Sequence, residues 1–136
     1  MKHITIYTDG GARNNPGPAG AGVVIVGDDG KVIEETSRFL GVQTNNWAEY
    51  EAVILGLHTA KDLGFAEEKI LFKLDSQLVV EQLNGNYRIK MPTLRDQYNR
   101  IQEMLKDMPH VTFTHIPRAE NAEADRLANE AMDRGE

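Results

Sequence analysis

The sequence predicts an α/β protein, a mixed sheet with helices packed on it, in the order βββαβααβα. Three observations predict it. The first third of the chain alternates apolar and branched residues with period two, whereas from Asn46 the apolar residues recur at three- and four-residue steps. Short strand-like runs then return between helical stretches, and the changes of period fall at Gly, Pro or Asn/Asp clusters. With 136 residues, of which 40 % are hydrophobic, residues 1–136 are expected to form one domain with one core.

Each element has its own signal. Ile4-Thr5-Ile6-Tyr7 alternates and is expected to end at Thr8-Asp9-Gly10-Gly11. Gly20 to Val26 is a second strand, and Asp28-Asp29-Gly30 is a hairpin turn leading to a third from Lys31 to Leu40. Short connections make these three antiparallel. Trp47, Tyr50, Val53, Ile54, Leu57 and Leu63 mark one face of a helix, with Thr44, Asn45 and Asn46 as capping side chains and Gly64 as its stop. Lys69 to Leu74 is a strand reached through a helix, hence parallel to an earlier one, and Gln77 to Leu83 is a helix ended near Gly85. Pro92 opens a helix whose stripe is Leu94, Tyr98, Ile101 and Leu105. Val111 to His115 is the fifth strand, and a last helix from about Glu120 buries Ala124, Leu127, Ala128 and Ala131.

Composition excludes several classes. With no cysteine, a disulfide framework and a thiolate zinc site are both ruled out. No apolar run approaches the ~18 residues of a membrane span, so no membrane partner is expected, and the default is a soluble, cytoplasmic protein. No seam for self-association is apparent, which predicts a monomer. A net charge of −6 argues against a nucleic-acid partner. Yet carboxylates that hold ions are neutralised by them, and the segment from Tyr87 to Arg100 carries Arg88, Lys90, Arg95 and Arg100 against Asp96 alone.

Four of the twenty-one acids stand apart by position. Asp9 and Asp75 fall at the ends of the first and fourth strands, where ligands gather in open α/β sheets. Glu49 and Asp125 fall early on two helices, whose N-termini offset gathered negative charge. Four acids in one cleft repel, and a hard divalent ion such as Mg²⁺ relieves that repulsion with oxygen ligands. Each residue also has an ordinary reading, as a turn former before Gly-Gly, a helix cap or a solvated helix charge.

Joint context resolves the choice. Tyr7-Thr8-Asp9-Gly10-Gly11-Ala12-Arg13-Asn14-Asn15-Pro16-Gly17-Pro18, then Thr44-Asn45-Asn46-Trp47-Ala48-Glu49, then Asp75-Ser76-Gln77, then Asn121-Ala122-Glu123-Ala124-Asp125 resembles type 1 ribonuclease H. The blocks span nearly the whole chain in family order. The resemblance implies an RNase H-like fold, a five-stranded mixed sheet with three antiparallel strands followed by parallel additions. It implies endonucleolytic cleavage of the RNA strand of an RNA–DNA hybrid by a two-metal mechanism, leaving 5′-phosphate and 3′-hydroxyl ends. Two Mg²⁺ ions, with Mn²⁺ as a substitute, fall to Asp9, Glu49, Asp75 and Asp125. His115 matches the family histidine and is expected to relay protons or help product leave; its alternative is a strand-end histidine with local bonds.

The resemblance also assigns the hybrid's minor groove to Asn15, Asn45, Asn46 and Gln77, and a phosphate of the DNA strand to Thr44. Amides suit such contacts because they donate and accept without demanding a sequence. Many bacterial members insert a basic, Trp-rich helix between the second and third helices. Here only Asn86 to Thr93 fills that place, as in the short subfamily without this protrusion, so weaker hybrid binding is expected, with Arg88 and Lys90 replacing part of its charge. For Trp47, core packing is favoured over substrate contact. Gly17 to Gly22 has the wrong spacing for a dinucleotide site and precedes a strand, and His3, His58 and His110 lack ligand spacing. A catalytically silent binding module, or a nuclease of other duplexes, are the competing classes.

Overall fold

The structure, a computed structural model, describes Lys2–Gly135. Among the described residues the strands are β1 (His3–Ala12), β2 (Gly17–Val26), β3 (Val32–Gln43), β4 (Lys69–Leu74) and β5 (Val111–His115). The helices are α1 (Asn45–Asp62), α2 (Gln77–Leu83), α3 (Pro92–Leu105) and α4 (Ala122–Arg134), the last entered through a 3₁₀ turn, Arg118–Asn121. The expected element order holds.

The strands form one sheet in the order β3-β2-β1-β4-β5. β1 pairs antiparallel with β2 and β2 with β3, whereas β4 runs parallel to β1 and β5 parallel to β4. Parallel pairing of β1 and β4 ends at Thr8 opposite Leu74, so the next residues, Asp9 and Asp75, emerge side by side. Contrary to the expectation from Gly10-Gly11, Asp9 does not end its strand. β1 continues to Ala12, held by β2 alone, because antiparallel pairing runs on through Asp9–Gly22 to Ala12–Ala19.

Helices cover the two faces of the sheet unequally. Ile6, Val23, Ile25, Ile70 and Phe72 are buried in the main core with α1. Periodicity predicts one apolar stripe on α1, but Ala48 to Leu57 is buried nearly all round, Glu49 included. The cause is α3, whose Gln97 side chain donates to the Trp47 carbonyl at 3.0 Å and to Glu51 at 2.8 Å across the interface. Trp47 itself is partly buried against the core, as expected. Leu63 instead follows the helix as its C-cap and is 38 % exposed.

On the opposite face α4 lies directly on β2. Val24 joins Ala124 and Leu127 in a separate cluster, and a Cβ added at Gly20 or Gly22 would overlap the carbonyl oxygens of Ala128 or Ala124. The glycine run is therefore a seat for a helix.

Between α2 and α3 the segment Asn84 to Met91 contains no helix. Its course is nonetheless pinned: the buried Tyr50 hydroxyl donates to Gln82 Oε1 at 2.7 Å, and Gln82 Nε2 donates to the Arg88 carbonyl at 3.2 Å. Among the described residues no helix is long and apolar enough to cross a membrane.

Candidate metal centre

The acidic site is assembled by three local devices. Ser76, rather than Asp75, caps α2, its Oγ accepting from the Val79 N–H at 3.3 Å. That leaves the Asp75 carboxylate to face the cleft at the end of β4. Thr44 caps α1 in the same way, accepting from the Trp47 N–H at 3.2 Å, so the helix starts where its fifth residue, Glu49, reaches β1. The third device is Gly10. A Cβ there would overlap the Ala48 carbonyl oxygen, and its absence lets α1 lie close enough for the Gly10 N–H to donate to Glu49 Oε1.

These devices bring one carboxylate oxygen each from Asp9, Glu49 and Asp75 within 4.8 Å of one another. Asp9 and Glu49 are buried and Asp75 is half-buried. Burial, and then the charge of Asp75, push the Asp9 carboxyl up to about 8. Burial followed by the charge of Asp9 raises Glu49 well above the usual carboxylate range. The fourth predicted ligand, Asp125, lies outside this tight trio but lines the same cleft, of about 410 Å³, from the first turns of α4. Its nearest cation is the exposed Arg118, 3.9 Å away.

An all-carboxylate donor set of this kind fits hard divalent ions that take oxygen ligands. Burial and mutual repulsion raise the Asp9 and Glu49 carboxyls, and a bound cation would relieve that repulsion. The set suits the expected ions.

The structure distributes the remaining predicted residues unevenly. His115 is the last residue of β5, level with Leu74, exposed and outside the lining of the cleft. Asn15 and Asn45 are exposed but already engaged: Asn15 Oδ1 accepts from the Asn45 N–H at 2.9 Å, and Asn45 Oδ1 from the Ala12 N–H at 2.7 Å. Their oxygens tie the β1–β2 turn to the start of α1, while Asn45 also lines the cleft. Asn46 is half-buried beside it, and Gln77 is exposed at the start of α2. Arg88 and Lys90 are exposed on the α2–α3 segment, where Arg88 and Arg95 flank a groove of about 280 Å³.

Two residues gain a role only from the structure. Gly10 with Gly11 resembles a turn in sequence, though both lie in β1. Asn121 stands out in sequence only as part of a motif, yet it is 1 % exposed and sits between β1 and Asp75. An Asn in the first turn of the predicted last helix is the available signal, and it reads locally as a cap.

Comparison with known proteins agrees with this geometry. The profile of the family described as Reverse transcriptase-like matches residues 7–131. A bifunctional protein of Mycobacterium tuberculosis is 44 % identical over 96 % of this chain, and Ribonuclease HI of Halobacterium salinarum is 46 % identical over 96 %. The chain spans 35 % of the first protein's length and 64 % of the second's. Among solved structures, LC11-RNase H1 in complex with an RNA/DNA hybrid superposes with a TM-score of 0.93 at 45 % identity, covering 96 % of this chain and 97 % of that one.

Proposed function

The chain belongs to the type 1 ribonuclease H family, and on that premise we propose that it is a metal-dependent endonuclease cutting the RNA strand of RNA–DNA hybrids. The observation that carries the reading is the approach of Asp9, Glu49 and Asp75 oxygens to within 4.8 Å in an open polar cleft. A binding module has no use for buried carboxylates that repel one another. The solved relative LC11-RNase H1 holds an RNA/DNA hybrid, which supports the choice of substrate.

In this reading Asp9, Glu49, Asp75 and Asp125 hold two divalent ions, Mg²⁺ or its substitute Mn²⁺. Such ions, when bound, would supply electrostatic stabilisation to a phosphoryl displacement at the cleft. The protein's own part is positional. Gly10 fixes Glu49 through its N–H, and Ser76 takes over the capping of α2 and leaves Asp75 to the cleft. Asn15, Asn45, Asn46 and Gln77 line the approach with amide groups for 2′-hydroxyls and base edges, and Thr44 stands by for a phosphate. His115 is assigned proton relay or help in product release, and cleavage leaves 5′-phosphate and 3′-hydroxyl ends. Arg88 and Lys90 supply phosphate contacts away from the chemistry. A cleft contained within one domain, residues 1–136, acting as a monomer in the cytoplasm, is part of the proposal.

The deciding experiment incubates the protein with end-labelled RNA–DNA hybrid, double-stranded RNA, duplex DNA and single strands, each with Mg²⁺, Mn²⁺ or EDTA. Cleavage of the hybrid RNA strand, dependent on either ion, is expected. No hybrid cleavage with either ion, or equal cleavage of DNA, refutes the reading.

A further inference from the structure

We propose that Asn121 is a positioning residue for the divalent ions, acting through Asp75 and through the β1 backbone next to Asp9. The inference rests on the metal-site reading above and deepens it. Asn121 occupies the N-cap position of α4, where an Asn side chain ordinarily accepts from a backbone N–H of the first turn. Here it makes no capping bond. Its Nδ2 instead donates to the Thr8 carbonyl at 2.9 Å and to Asp75 Oδ2 at 3.1 Å.

Both neighbours are pure acceptors, which determines which end of the amide faces them. Both amide hydrogens are thereby used. The other end is left without a partner: Asn121 Oδ1 is buried and makes no hydrogen bond. A residue serving only to start α4 would turn its oxygen to the helix and satisfy it. This one gives up the cap and leaves a buried acceptor unpaired in order to join β1 to the residue that follows β4.

The consequence is geometric. Thr8 is the last β1 residue paired with β4, and Asp75 is the first residue beyond β4. The Asn121 fork therefore fixes the spacing between the chain entering Asp9 and the Asp75 carboxylate. Holding Oδ2 of Asp75 restricts rotation of that carboxylate and leaves its second oxygen for an ion.

The test is calorimetric titration of substrate-free protein with Mn²⁺, for wild type, Asn121→Ala, Asp75→Asn and the double variant, with circular dichroism to check folding. Asn121→Ala is expected to raise the ion Kd about 10- to 100-fold. In the Asp75→Asn background the same change should move Kd by a clearly smaller factor, since only the Thr8 contact is then left to lose. Asn121→Asp, with the same shape but acceptors on both sides, should also weaken binding although it adds negative charge; tighter binding would overturn the proposal. So would an unchanged Kd with a lowered Tm, which marks a structural brace, or equal losses in both backgrounds. Should Asn121→Ala not fold, Asn121→Asp carries the test. A wild type that binds no Mn²⁺ removes the metal-site reading itself, a result distinct from normal binding that Asn121 does not influence.

Discussion

Replacing Asp9 by Asn should stabilise the metal-free fold, and the gain should grow with pH. Asp9 titrates at about 8 in the folded chain, first because it is buried and then because Asp75 is beside it, against an ordinary value of 3.8. Between those limits the folded chain keeps a proton that the unfolded chain has released, so stability contributed by this group falls as pH rises from about 4 to about 8. If nothing relaxed, that separation would correspond to about 6 kcal/mol. Water entry into the open cleft and sharing of a proton with Glu49 reduce it, and a gain of about 2 kcal/mol for Asp9→Asn at pH 8 is expected, within the range of single substitutions. For a chain of this size that is a rise in Tm of roughly 5–10 °C. The assay is thermal and urea denaturation by circular dichroism in EDTA at pH 4, 6 and 8, repeated at pH 8 with Mg²⁺. The two proteins should be nearly equal at pH 4, the lower limit of that window. They should diverge toward pH 8, and converge again with Mg²⁺ because the ion stabilises only the wild type. A gap that is flat in pH, or a less stable Asp9→Asn at pH 8, would refute the reasoning and make Asp9 a structural residue of β1.

Two further outcomes follow from the same geometry. Gly10→Ala places a Cβ on the Ala48 carbonyl and should destabilise the protein by about 3 kcal/mol in urea denaturation; a loss under about 0.5 kcal/mol would show that α1 can retreat freely. Arg88→Ala with Lys90→Ala should raise KM for the hybrid several-fold at unchanged kcat, and reduce the steepness of its log–log salt dependence by about 0.9 for each phosphate that is no longer neutralised. Unchanged KM and salt slope would remove the α2–α3 segment from the substrate path.

Local chemistry carried much of the fold into view. The period-two runs, the helical stripes and Pro92 at the head of α3 all depend on near neighbours in the chain, and sequence reports near neighbours well. The motif blocks also singled out the acids that now share the cleft. Local context misleads where a residue answers to a distant partner. Gly10-Gly11 resembles a turn that would end the strand at Asp9, yet those glycines extend β1, and Gly10 lets α1 approach. Leu63 fitted the stripe of α1 but falls past its last buried turn.

The sequence by itself determined which residues could make a metal site: four acids at strand ends and helix starts, within blocks characteristic of one family. Only the tertiary structure decided how they divide. Three close to within 4.8 Å, Asp125 joins the cleft from α4 beside Asp9, and His115 stands outside the lining. Asn121 shows the reason most plainly. Its local context asks for a helix cap, and its partners Thr8 and Asp75 lie 113 and 46 residues away in the chain. Repulsion among buried carboxylates is likewise a property of their spacing in three dimensions, so the Asp9 carboxyl pushed up to about 8 could not be read until the sheet had brought β1 and β4 together.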